Sequence, residues 1–104
     1  MNYTDYVPIL KALADETRLK IVDMLSKDDL CACKILEHFS ITQPTLSYHM
    51  RILCDSEVVV GTRDGAWMRY SINKEVLAAV SKLFDDFLIN INQGSKCDGN
   101  CKGD

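Results

Sequence analysis

Apolar residues recur at helical spacing across residues 3–14, YTDYVPILKALA, where Tyr6, Ile9, Leu10 and Leu13 fall on one face. Pro8 lies inside this run, and because Pro suits a first turn the helix is predicted to start there. Asp15 reads as the N-cap of a second helix, ETRLKIVDMLS, with Glu16 in its first turn. Its apolar stripe is Leu19, Val22 and Leu25, widened by Ile21. Lys27, Asp28 and Asp29 break it. A short third helix fits residues 31–39, with Ile35, Leu36 and Phe39 inward, and Ser40 and Ile41 turn the chain. Thr42 caps a fourth helix, which tolerates Pro44 in its first turn and runs to about Asp55, burying Leu46, Met50 and Leu53.

The period then changes. VVVGTR and AWMRYSI are two β-rich runs around Asp64-Gly65, a two-residue hairpin signal. Asn73 caps a last helix from about Lys74 to Asn92. Val76, Val80, Leu83, Phe84, Phe87, Leu88 and Ile91 make a long apolar stripe along it. After Gln93, GSKCDGNCKGD is polar and glycine-containing, and is expected to be loose. Helix, helix, helix-turn-helix, hairpin, helix is the plan of a winged helix-turn-helix. The expected fold is therefore mainly α (α+β), helices with a two-stranded β-hairpin wing. One DNA-binding and dimerisation domain spans residues 1–92, with a Cys-containing tail over 93–104.

Composition narrows the class. A chain of 104 residues has room for one core. Hydrophobic and charged fractions of 47% and 26% are those of a globular protein rather than a disordered one. No apolar run approaches the ~18–20 residues that span a bilayer. MNYTDYVPIL lacks the basic start and apolar segment of a secretory signal, so the expectation is a cytoplasmic protein without membrane partners.

The net charge of −3 does not announce a nucleic-acid binder. Between residues 42 and 75, Arg51, Arg63, Arg69 and Lys74 are matched by Asp55, Glu57, Asp64 and Glu75. DNA binding must then rest on the placement of a few cations, on hydroxyls and amides, and on a helix N-terminus. The fourth helix offers these groups, with Gln43, Thr45, Ser47, Tyr48 and His49 crowding its first two turns. Gln bonds an adenine edge in a bidentate manner, and Ser or Thr serves several bases or a phosphate. Arg63 beside the hairpin turn and Arg69 on the return strand are within reach of a phosphate or a minor groove. Trp67 and Tyr70 are expected to anchor the hairpin to the core.

Five cysteines need a reason in such a chain. An odd number cannot all pair internally, and a reducing cytosol opposes disulfides, which leaves metal, metalloid or redox chemistry. Cys54 reads equally well as a small core residue. Cys31/Cys33 and Cys97/Cys101 are closely spaced pairs and candidate soft-ligand thiolates. In an ideal helix residues two apart point roughly 200° apart. Two sulfurs bonded at ~2.3 Å to one ion must instead lie close together. Either the pair sits at a frayed helix start, or binding unwinds that turn. His38 is expected at the surface, and His49, three residues after Leu46, as a DNA or scaffold residue rather than a ligand.

ALADETRLKIVDML, LCACKILEHF, TQPTLSYHMRIL and the DG-centred wing together resemble the ArsR–SmtB family of metal-sensing bacterial repressors, over about residues 10 to 92. LCAC is similar to the ELCVC signature of its arsenic-responsive members and of cadmium/lead-responsive relatives. The resemblance implies a homodimer, built from the first and last helices, that binds double-stranded operator DNA. It implies As(III) or Sb(III) as inducer, release when the metalloid binds thiolates, and no catalytic cofactor. Gln43, Thr45, Ser47, Tyr48 and the wing take the family's DNA contacts.

Two departures stand out. Many arsenic sensors carry a third Cys three residues after the second, where this chain has Leu36, so the third thiolate is unassigned. Cys97 or Cys101, Cys54, and a small thiol or solvent are the alternatives. The last helix carries Asp85 and Asp86 but no histidine, which argues against the family's zinc site. Cadmium/lead sensors usually add ligands from an N-terminal extension not found in this sequence, so arsenic leads. A cadmium/lead or thiol-redox sensor of the same fold remains an alternative. Against a thiol enzyme such as an arsenate reductase, this sequence shows no phosphate-cradling Gly-rich loop and no evident base or resolving-Cys arrangement, and a protein-only module is the last reading.

Overall fold

The computed structural model describes residues 2–92, the side chain of Asn92 excepted. Five helices and three strands follow one another: α1 (Tyr3–Leu13), α2 (Glu16–Leu25), β1 (Leu30–Cys31), α3 (Ala32–Leu36), α4 (Gln43–Asp55), β2 (Val59–Asp64), β3 (Trp67–Ile72) and α5 (Lys74–Asn92). This is the winged helix-turn-helix plan, mainly α. None of the described helices is long and apolar enough to cross a membrane. The tail, with the expectations attached to Cys97 and Cys101, lies outside the described residues.

The helix starts follow local chemistry. Asp15 caps α2 by accepting the Arg18 backbone N–H at 3.0 Å, and Thr42 Oγ1 accepts that of Thr45 at 3.3 Å at the start of α4. Asn73 Oδ1 accepts the Val76 N–H at 3.4 Å and starts α5. At α1 the expectation of a start at Pro8 is corrected. Asn2 is the N-cap, and the Asp5 carboxylate reaches back to its N–H at 3.0 Å, so the helix begins at Tyr3. Pro8 sits one turn further in, on an exposed face, and leaves the Thr4 carbonyl without its helical donor.

The sheet differs from the expected two-stranded wing. It has three antiparallel strands in the order β1-β3-β2, because Leu30 and Cys31 pair with Tyr70 and Arg69. Two residues carry no strand periodicity, so only the ladder to β3 makes them a strand. The hairpin turn is also one residue later than expected. Asp64 pairs with Trp67, leaving Gly65 and Ala66 at the centre. Gly65 has φ +66°, which fits a type II′ turn with glycine first. The third helix is shorter than expected, giving way after Leu36 to turns at His38 and Phe39.

The core gathers Ile9, Ala12, Ile21, Leu25, Ile35, Leu46, Met50, Leu53, Val58, Val59, Val76 and Val80. Leu19, expected in the α2 stripe, is instead 53% exposed, and Ile21 takes the inward place. The long α5 stripe divides. Val76 and Val80 are buried in this core, whereas Phe84, Phe87, Leu88 and Ile91 are exposed on the single chain, as are Tyr3 and Val7 of α1.

Candidate thiol site and nucleic-acid interface

The capped start of α4 aims its polar residues outward. Leu46, Met50 and Leu53 point into the core, so the opposite face carries Gln43, Thr45, Ser47 and Tyr48, all exposed. The Thr42 hydroxyl donates to Thr45 Oγ1 at 3.0 Å, which orients that side chain while leaving its own proton free. Of the two places expected for His49, beside them or in the scaffold, it takes the scaffold one. Its side chain is 12% exposed and faces α2, where Arg18 Nη1 lies 3.0 Å from His49 Nδ1. The helical repeat explains the difference, since His49 adjoins the buried Met50 rather than the outer face.

Arg63 and Arg69 are exposed, but on opposite faces of the sheet. Arg69 stands across from Thr62 and Arg63 across from Met68, and successive strand residues alternate sides. Arg69 Nη2 lies 3.5 Å from the Asp29 carbonyl, toward β1. Trp67 does not anchor the wing as expected, being 59% exposed, whereas Tyr70 is half-buried and packs against the core. Trp67 helps line a cleft of about 380 Å³ between α3, α4 and the wing, together with Cys33, Leu36, Gln43, Ser47 and Tyr70.

The two thiols meet at the mouth of α3. Cys31 closes β1 with extended backbone angles, φ −80° and ψ 160°, and is the helix N-cap. Cys33 lies two residues on, in the first turn. Only one of the pair is helical, so the angular objection to neighbouring sulfurs does not apply, and Sγ lies 2.8 Å from Sγ. This is the first of the two arrangements expected, and no unwinding is needed to gather the pair. The hydrogen bond from the Cys33 thiol, and after it the Lys34 backbone N–H, hold Cys31 below the ordinary thiol range. The same shared proton, and then burial, push Cys33 above it. The first proton of the pair therefore leaves early and the second late.

Thiolate bonds of about 2.3 Å meeting at a pyramidal or tetrahedral angle separate their sulfurs by roughly 3.3–3.8 Å. A small rotation of one side chain opens the pair to that span. Two thiolates make an incomplete set, and among the described residues no group of three or more His, Cys, Asp or Glu side chains is placed to hold a metal ion. Cys54 is separate, half-buried on α4, and burial followed by the Asp55 charge pushes its thiol up.

Residues 15–60 match the model of the bacterial regulatory protein, arsR family. An arsenical resistance operon repressor of Staphylococcus xylosus is 44% identical over 93% of this chain and 92% of its own length. The chain belongs to the arsR family. A second member, the arsenical resistance operon repressor of Staphylococcus aureus, is 45% identical over 88% of this chain and 82% of its own. The crystal structure of an ArsR family transcriptional regulator shares the fold, with TM-score 0.83 at 22% identity over 92% of this chain and 98% of its own. The homodimeric winged helix-turn-helix DNA-binding domain of a possible ArsR-family regulator from Mycobacterium bovis is 26% identical. It covers 82% of each chain with TM-score 0.67. This arsR-family chain is thus a DNA-binding transcriptional repressor.

Proposed function

We propose that this repressor responds to arsenite and antimonite in the cytoplasm. As a homodimer it binds operator DNA through Gln43, Thr45, Ser47 and Tyr48, with phosphate contacts from Arg63 and Arg69, and it leaves when trivalent metalloid bonds Cys31 and Cys33. Residues 1–92 bind DNA and dimerise. The segment 93–104 supplies the third thiolate from Cys97 or Cys101. The observation that carries this reading is the pair of sulfurs 2.8 Å apart between a strand of the wing sheet and the wall of the α4 cleft. The Staphylococcus relatives named for arsenical resistance support the inducer, and the homodimeric Mycobacterium bovis neighbour supports the assembly.

The same placement supplies a route for induction. Cys31 stands opposite Arg69 in the β1–β3 ladder, and Cys33 shares the cleft with Gln43 and Ser47. A third thiolate drawn onto the pair pulls both walls at once, so wing and recognition helix lose the relative orientation that two grooves require. The affinity of thiolates for soft ions gives the selectivity.

The test is a gel shift with the DNA upstream of the gene. Arsenite releases the wild type. Cys31→Ser and Cys33→Ser still fold, dimerise and bind, since neither loses a proposed DNA contact, but arsenite no longer releases them. Release of either variant at the wild-type arsenite concentration overturns the thiol assignment. Truncation after Gln93 tests the third ligand, because an unchanged sulfur count by X-ray absorption removes Cys97 and Cys101 from the site.

A further inference from the structure

Away from the thiols, three ionisable residues join three helices. Arg18 of α2 donates from Nε to the Ala12 carbonyl of α1 at 2.7 Å and from Nη1 to His49 Nδ1 of α4 at 3.0 Å. Its own backbone N–H is held by the Asp15 carboxylate, which the Arg18 N–H, set against a smaller cost of burial, keeps below the usual carboxylate range. His49 stacks edge-on against Tyr48, with centroids 5.4 Å apart, and Tyr48 is exposed on the face to which the function proposed above, on which this inference rests, assigns the operator. Asp15 Oδ2 lies 3.9 Å from His49 Nδ1. Among the described residues no other carboxylate lies within ion-pair distance of His49.

A guanidinium has only donors. Arg18 can hold His49 only while Nδ1 carries a lone pair, which fixes the neutral ring with its proton on Nε2. We infer that Arg18 is a positioning residue for the recognition helix. It locks α4 to α1 and α2 through neutral His49, and uptake of a proton by His49 exchanges Arg18 for Asp15 and loosens the operator-binding pose. Protonation turns Nδ1 from acceptor to donor and sets two cations face to face. The ring then turns to the Asp15 carboxylate, carrying Tyr48 with it. The sign is opposite to the general one, because added positive charge ordinarily strengthens DNA binding.

Asparagine at position 49 separates the two effects, since its amide oxygen can stand where Nδ1 stands and takes no proton in the working range. Operator affinity of the full chain is measured by fluorescence anisotropy from pH 8 to pH 5.5, across the range in which imidazoles commonly titrate. Expected is a wild-type affinity that falls about threefold or more on acidification relative to His49→Asn, both proteins staying folded by circular dichroism. Parallel pH profiles overturn the inference. The second measurement needs no variant to fold: nitrogen chemical shifts of the wild-type imidazole at pH 8 report the tautomer. A proton on Nε2 is expected, and a proton on Nδ1 overturns the inference outright.

Discussion

Phe87 gives the sharpest test of the proposed dimer. It is 43% exposed on the single chain and meets Phe84, itself 46% exposed, edge-to-face at 6.0 Å. A phenylalanine presents roughly 200 Å², so the exposed part is about 85 Å² in each protomer and about 170 Å² across a two-fold interface. Covering it at ~25 cal/mol per Å² contributes at most about 4 kcal/mol to association. Alanine keeps part of that contact, so Phe87→Ala loses about 3 kcal/mol, on the order of a hundredfold in the dimer dissociation constant. Sedimentation equilibrium without DNA measures this directly, and thermal unfolding separates it from damage within the protomer. A folded Phe87→Ala with an unchanged dissociation constant would refute the placement of α5 at the interface. A wild type that is monomeric at micromolar concentration refutes the dimer itself.

Gln43→Ala is expected to lose on the order of 1–3 kcal/mol of discrimination at one base pair per half-site, measured by competition with mutated operators. A uniform loss across sequences assigns Gln43 to the phosphate backbone. Cys31 should react with iodoacetamide at a lower pH than an ordinary thiol, and Cys33→Ala should move that profile upward by removing the side-chain donor. Coincident profiles count against the shared proton. The folded Asp15 carboxyl lies below its unfolded value, so its contribution is complete above the unfolded pKa and fades as pH falls through the folded one. Asp15→Ala should therefore cost about 1 kcal/mol at pH 7 by urea denaturation, and less as pH falls below about 4. A gap that stays undiminished below about pH 4 contradicts the cap. Glu57 follows α4 with φ 68°, and Glu57→Gly should raise stability by about 0.5–1 kcal/mol; a lower midpoint shows that its side chain contributes more than the strain costs.

Much of this protein is written in local chemistry. Asp15, Thr42 and Asn73 cap their helices through side-chain oxygens one turn away, and periods of 3.6 and 2 separate α4 from the wing. These effects act within a few residues, so the sequence alone determines the order of the helices and the hairpin, the exposed polar face of α4 and the family pattern. Long-range pairing decided the remainder. Leu30 and Cys31 become a strand only because β3 offers unpaired backbone, and that extended backbone brings two sulfurs together which a continuous helix would hold apart. Pro8 stays inside α1 because Asn2 and Asp5 close the helix start ahead of it. Ile21 displaces Leu19 from the core, and His49 turns to Arg18 rather than to the exposed polar face of α4, because the packing of neighbouring helices chooses which flank of a helix is buried. Residue spacing reports the width of an apolar stripe; only the neighbours that cover it set its direction.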